Sequence, residues 1–190
     1  MSHDNHLLKA AVELTHALNE AVDESLPKKL ASVVKTHAAV AVGAAFIPVP
    51  GADMAASAAN VWTMYVRINK ELSLPFGENI IKSVAAGVVT NIGAAAAGML
   101  VVGSALKMIP GLGSIGGAVV MSATIYAITI AAGIVYMKAV AHLLRSNAAS
   151  NLGEADLKAA TDEIVRDKAS MEAMLKEAKE AYKHDKNAKK

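Results

Sequence analysis

The chain has 190 residues, 54% of them apolar and 19% charged, with a net charge of +2 and no cysteine. The apolar share exceeds the usual ~45–50% and the charged share falls short of ~25%, which excludes a disordered chain. The missing cysteines exclude disulfide scaffolds, thiol catalysis and cysteine-ligated metal.

Charge is segregated along the chain. Residues 1–36 carry five acids and four bases, and residues 154–190 carry nine of each. Between Glu78 and Glu154 there is no acid, and the only Lys or Arg residues are Lys82, Lys107, Lys138 and Arg145. The opening Met1-Ser2-His3-Asp4-Asn5 lacks the basic run and apolar stretch of a cleaved signal, and Ser2 is not the glycine that myristoylation needs. Any membrane attachment is therefore expected from the helices themselves.

Residues 6–23 form the first predicted helix, because Leu7, Ala11, Leu14, Leu18 and Ala21 recur at alternating spacings of four and three. Pro27 ends this segment or begins the next. A second helix is expected from about 28 to 46. It is stopped at Pro48, Pro50 and Gly51, since prolines cannot donate helix hydrogen bonds and glycine supplies the turn. A third runs from 52 to about 72, opened by Asp53 as a cap that gains from the helix dipole. It carries Trp62 and Tyr65, which beside Arg67 and Lys70 read as packing or membrane-interface anchors.

Residues 83–106 are 24 positions without charge, and 111–137 are 27 more. At 1.5 Å per residue these helices are about 36 and 40 Å long, enough for a ~30 Å hydrocarbon core. The short connection through Pro110 and Gly111 makes them an antiparallel hairpin. Small residues at spacings of four, Gly93 with Ala97, Ala94 with Gly98, and Gly113 with Gly117, predict a seam of close backbone approach. A charged helix follows to about 183, with Leu157, Ile164, Met171 and Ala178 every seven residues and an interruption at Asp167 and Lys168.

At its two turns, Ile47-Pro48-Val49-Pro50-Gly51-Ala52-Asp53 and Ile109-Pro110-Gly111-Leu112-Gly113, the sequence resembles the YcjF-like bacterial proteins, often fused to or encoded beside small GTPases. The resemblance covers about residues 31–145. It implies an all-helical, membrane-associated domain without assigned catalysis, and a GTPase as a partner. The chain itself has no Gly-x4-Gly-Lys-Ser/Thr loop.

Gly111-Leu-Gly113-Ser-Ile-Gly116 matches the dinucleotide fingerprint in letters, yet it lacks the preceding strand and the acid about 20 residues later. Glu13 and His16 have the spacing of a di-iron helix, but no second such pair occurs. No catalytic residue, metal or cofactor is expected. The balanced charge of the C-terminal segment argues against a nucleic-acid partner.

The expectation is an all-α protein of about six helices. It divides into an amphipathic helix at 1–27, an apolar helical-hairpin domain at 28–150 and a charged helix with its tail at 151–190. The function expected is a non-enzymatic scaffold at the cytoplasmic membrane. Lipid bilayer, a second copy and a GTPase or other protein are its expected partners. Lys or Arg at 67, 70, 82, 138 and 145 on the open side of the hairpin, against Lys107 at its tip, place both termini in the cytoplasm. The alternative is a closed soluble bundle that buries the hairpin and inserts as a pore-former. A metal- or ligand-binding helical protein is the third reading.

Overall fold

The computed structural model describes the backbone of residues 2–18, 25–44, 52–104, 115–146 and 153–187, and side chains within 5–18, 25–43, 55–97, 120–146 and 153–184, Glu154 excepted. Seven α-helices make up these residues: α1 Ser2–Ala17, α2 Leu26–Ala44, α3 Ala52–Glu71, α4 Glu78–Ser104, α5 Ile115–Arg145, α6 Glu154–Arg166 and α7 Lys168–Asn187. The prolines and glycines expected at the turns (Pro48, Pro50, Gly51, Pro110, Gly111 and Gly113) lie outside the described residues, as do the side chains of Asp53, Gly98 and Gly117.

Two of the boundaries have clear local causes. Pro27 begins the next segment, inside the first turn of α2, where its missing N–H costs nothing. Where one C-terminal helix was expected there are two, because Asp167 both ends α6 and caps α7. Its N–H donates back to the Ile164 carbonyl, and its Oδ1 accepts the Ser170 N–H at 3.0 Å. A carboxylate that satisfies an amide of the next helix favours a break over continuation. At the end of α3, Ser73 takes a left-handed φ of 50°. The amides of Ser73 and Leu74 then bond back to the carbonyls of Lys70 and Asn69, which closes the helix.

α5 is the axis of the fold. Between Ser122 and Ala141 every one of its side chains is buried except Tyr126 and Lys138, which are half-buried. A helix apolar on all sides needs cover on all sides, and the other six helices supply it. α1 with α2, α2 with α3, α3 with α4, α4 with both α6 and α7, and α7 with α1 are in contact and close a ring around α5. Residues of all three expected segments meet in one core, with Leu7 and Leu14, Leu30 and Val34, Ile81 and Ile92, and Leu157 and Leu175 fully or almost fully buried. Each large aliphatic side chain taken from water contributes about 1.5–3 kcal/mol.

α4 turns its large aliphatics inward. Ile81, Val84, Ala85, Val88, Val89, Ile92 and Ala96 are buried, while Ser83, Ala86, Thr90, Asn91, Ala94 and Ala97 are exposed. The Gly93/Ala97 strip, expected to lie against the second arm of the hairpin, is therefore half-buried at Gly93 and exposed at Ala97. On α5, Gly133 leaves room for a side chain of the neighbouring α2. A Cβ there would meet both methyls of Val34 at 2.6 and 2.7 Å.

Candidate functional surfaces

Tyr65, read with Trp62 as a packing or membrane-interface anchor, lies in the core. Its ring stacks on Tyr136 of α5 with centroids 4.1 Å apart, and its hydroxyl donates to the Ala132 carbonyl at 2.8 Å. The Tyr136 hydroxyl donates to Asn69 Oδ1, and Asn69 Nδ2 reaches the Phe76 carbonyl at 3.3 Å. Burial, and then the neighbouring Tyr136, push the Tyr65 phenol well above its ordinary pKa. These groups join α3, the α3–α4 turn and α5 by polar contacts whose members are 67 residues apart in sequence. No periodicity could have paired them.

Trp62 is half-buried, and the Lys82 ammonium sits 5.6 Å from its ring centroid. On α2, His37 is buried with Nδ1 at 2.9 Å from Asn60 Oδ1, and Asn60 Nδ2 donates to the His37 carbonyl at 3.0 Å. Three threonines within the apolar helices bond to their own turns. Thr90, Thr124 and Thr129 donate to the carbonyls of Ala86, Val120 and Ile125.

A cleft of about 430 Å³ opens between α1, α5 and the α6–α7 elbow, lined by Glu13, Lys138, His142, Glu163, Asp167 and Ser170 among others. Opposite charges face one another across it. Among the described residues no group of three His, Asp or Glu side chains is placed to hold a metal ion.

The outer surface of the ring is divided by charge. On α2 the exposed side chains run from Lys28 and Lys29 through Ser32, Thr36, Ala39 and Val40 to Gly43. On α3 they run from Lys70 and Arg67 through Thr63 and Ala59 to Ala55, and on α4 from Glu78 and Lys82 through Ser83, Ala86 and Thr90 to Ala97. Short connections make α2, α3 and α4 antiparallel neighbours, so the cationic ends of all three lie together. Beyond those ends the described exposed side chains of the three helices are uncharged, and these stretches lie together toward the opposite end of the bundle. There Val40 is 60% exposed and Met121 of α5 is 45% exposed. The other half of the ring is charged throughout. Lys9 on α1, Asp156, Lys158 and Glu163 on α6, and Lys168, Glu172, Lys176 and Glu180 on α7 are all exposed. His6 and Glu177 lie 3.3 Å apart across α1 and α7.

Two helices, Glu78–Ala97 and Val120–Arg145, are long and apolar enough to cross a membrane. The first is 39% buried in the fold and the second 78%. The second is thus mostly covered by protein, as the core helix of a closed bundle would be.

No protein-family model and no solved structure matches the chain. It is similar to Magnetosome membrane protein 22 of Magnetospirillum gryphiswaldense, with 34% identity over 107 residues. The match covers 56% of this chain and 55% of that protein, so the chain spans little more than half the length of this relative.

Proposed function

We propose that the protein is a membrane-associated helical scaffold without catalytic activity. The outer face of α2–α4 beyond its cationic end, with the hairpin end of α5, meets lipid, and the charged half-ring, α1 with α6 and α7, faces water and carries partners. The division of charge around one closed ring is the observation that carries this reading. Among the described side chains, only that part of the ring can approach hydrocarbon without burying ionised groups, each of which costs several kcal/mol to desolvate. The similarity to a membrane protein supports it, as do the two helices of spanning length. Self-assembly, a GTPase as the protein partner and a location at the cytoplasmic membrane with cytoplasmic termini belong to the same proposal.

Flotation of the purified protein with lipid vesicles tests it. The protein is expected to rise with the vesicles, and protein left at the bottom of the gradient under all lipid compositions would overturn the reading. Carbonate washing then separates two forms of it. Release marks a closed bundle lying at the interface, which the 78% burial of Val120–Arg145 favours. Retention marks a ring that has opened and inserted its hairpin, a form for which α4 and α5 have the length.

A further inference from the structure

The cations at the polar end of α2–α4 have a feature that the fold does not use. Lys28, Arg67, Lys70 and Lys82 are all exposed. Among the described residues none of the four has an acidic partner, and the contact that Lys82 makes is to the Trp62 ring. Among the described residues of these three helices, the carboxylates at the same end are Glu71 and Glu78, both exposed. Elsewhere on the ring the fold does pair its charges, as in Lys183 with Glu180 at 2.8 Å.

Position matters as much as number. Lys28 belongs to the first turn of α2, Arg67 and Lys70 to the last turns of α3, and Lys82 to the first turns of α4. Antiparallel packing sets these three ends side by side, so the cations form a belt across the layer rather than a stripe along one helix. Beyond the belt the same outer face is uncharged through Thr36, Thr63 and Ser83 toward the hairpin end. Trp62, half-buried with its Nε1 fully buried, lies under Lys82 at the boundary between the two zones. Among the described side chains, an uncharged face edged by cations without acidic partners complements a surface that is apolar inside and anionic at its rim.

We infer that this belt recognises the anionic headgroups of a lipid bilayer, and that Arg67, Lys70 and Lys82 make the protein select anionic over neutral membranes. The inference rests on the proposed membrane association and adds the lipid class and the residues that read it. Each Lys or Arg held near an anionic leaflet raises partitioning by about fivefold, and salt screens the effect within a Debye length of ~10 Å at 0.1 M.

The test is flotation on vesicles of phosphatidylcholine alone and of phosphatidylcholine with phosphatidylglycerol, at low and at high salt. The full chain is compared with an Arg67→Gln/Lys70→Gln/Lys82→Gln variant, whose fold is checked by circular dichroism. A second variant, Lys168→Gln/Lys176→Gln/Lys183→Gln on α7, removes equal charge from the opposite side. The expected result is preference for the anionic vesicles, lost at high salt and reduced roughly a hundredfold in the α3–α4 variant but not in the α7 variant. Equal binding to both vesicle types would overturn the belt while leaving membrane association standing. An equal loss in both variants would show net charge at work rather than this belt, and would also overturn it. Failure to bind any vesicle would remove the membrane reading on which the inference rests.

Discussion

Two glycines on neighbouring helices carry opposite expectations, and the difference lies in what surrounds each. A Cβ at Gly133 would meet Val34 Cγ1 and Cγ2 at 2.6 and 2.7 Å and its Cβ at 3.3 Å. Valine is stiff at χ1 and both of its methyls are involved, so rotation relieves nothing and a helix must shift. Gly133→Ala is therefore expected to cost about 1–3 kcal/mol, which lowers Tm by roughly 2–4 °C per kcal/mol in a chain of this size. At Gly87 an added methyl would find nothing within 4 Å, so Gly87→Ala gains helix propensity of up to about 1 kcal/mol and should raise Tm. Thermal melts of the two variants beside the parent check both signs. Tyr65 provides a pH test. Burial holds its phenol protonated in the fold, while an unfolded tyrosine ionises near pH ~10. Stability from this group is full below that pH and declines as pH rises above it, because only the unfolded chain can release the proton. Urea midpoints measured from pH 8 to 11.5 should fall more steeply in the parent than in Tyr65→Phe. Parallel curves would show that Tyr65 is not the group responsible.

At the scale of elements, the sequence disclosed the helices and left their surroundings open. The four-three spacing of Leu7, Ala11, Leu14 and Leu18 and the seven-residue repeat of Leu157, Ile164, Met171 and Ala178 mark faces that the structure buries, Leu18 and Ile164 only in part. The all-round apolar pattern of α5 was equally plain, but lipid and protein impose the same pattern on a helix that they surround. Length and composition therefore could not distinguish a span from a core helix. The same ambiguity governed the small residues. In lipid they would face the neighbouring helix, whereas α4 buries its valines and isoleucines and turns Ala94 and Ala97 outward. Gly133 lacked a glycine or alanine pattern of its own that would set it apart in a run rich in both, and its partner Val34 is distant in sequence. α7 supplies a test of the core assignment. Met171, Met174, Leu175 and Ala178 are buried on the ring, and α7 lies against α5, α1 and α4. Leu175→Ala is expected to cost about 2–5 kcal/mol, read as a lower urea midpoint. Removal of residues 168–187 should bare α5 and produce strong binding of an apolar dye. A truncated chain with unchanged dye binding would mean that α7 does not cover α5.

At the scale of the molecule, the ring presents two unlike sides to its surroundings, and that asymmetry predicts which residues change environment on a membrane. Val40 on α2 is 60% exposed in the uncharged zone, and Lys176 is exposed on α7 in the charged one. The chain has no cysteine, so single Val40→Cys and Lys176→Cys substitutions each give one attachment point for a polarity-sensitive fluorophore. Neither site is in the core, and replacement at an exposed position away from caps and packed contacts usually changes stability by less than about 0.5 kcal/mol. In water both labels should report a polar environment. On vesicles the label at 40 is expected to shift to the blue and become shielded from an aqueous quencher, while the label at 176 stays as it was. The two sites lie on opposite halves of one closed ring, so a membrane that touches one side reaches only one of them. Equal shifts at both would require the ring to open and wrap its charged helices onto lipid as well. A shift at 176 alone would place the bilayer against α7 and reverse the orientation argued from the charge pattern.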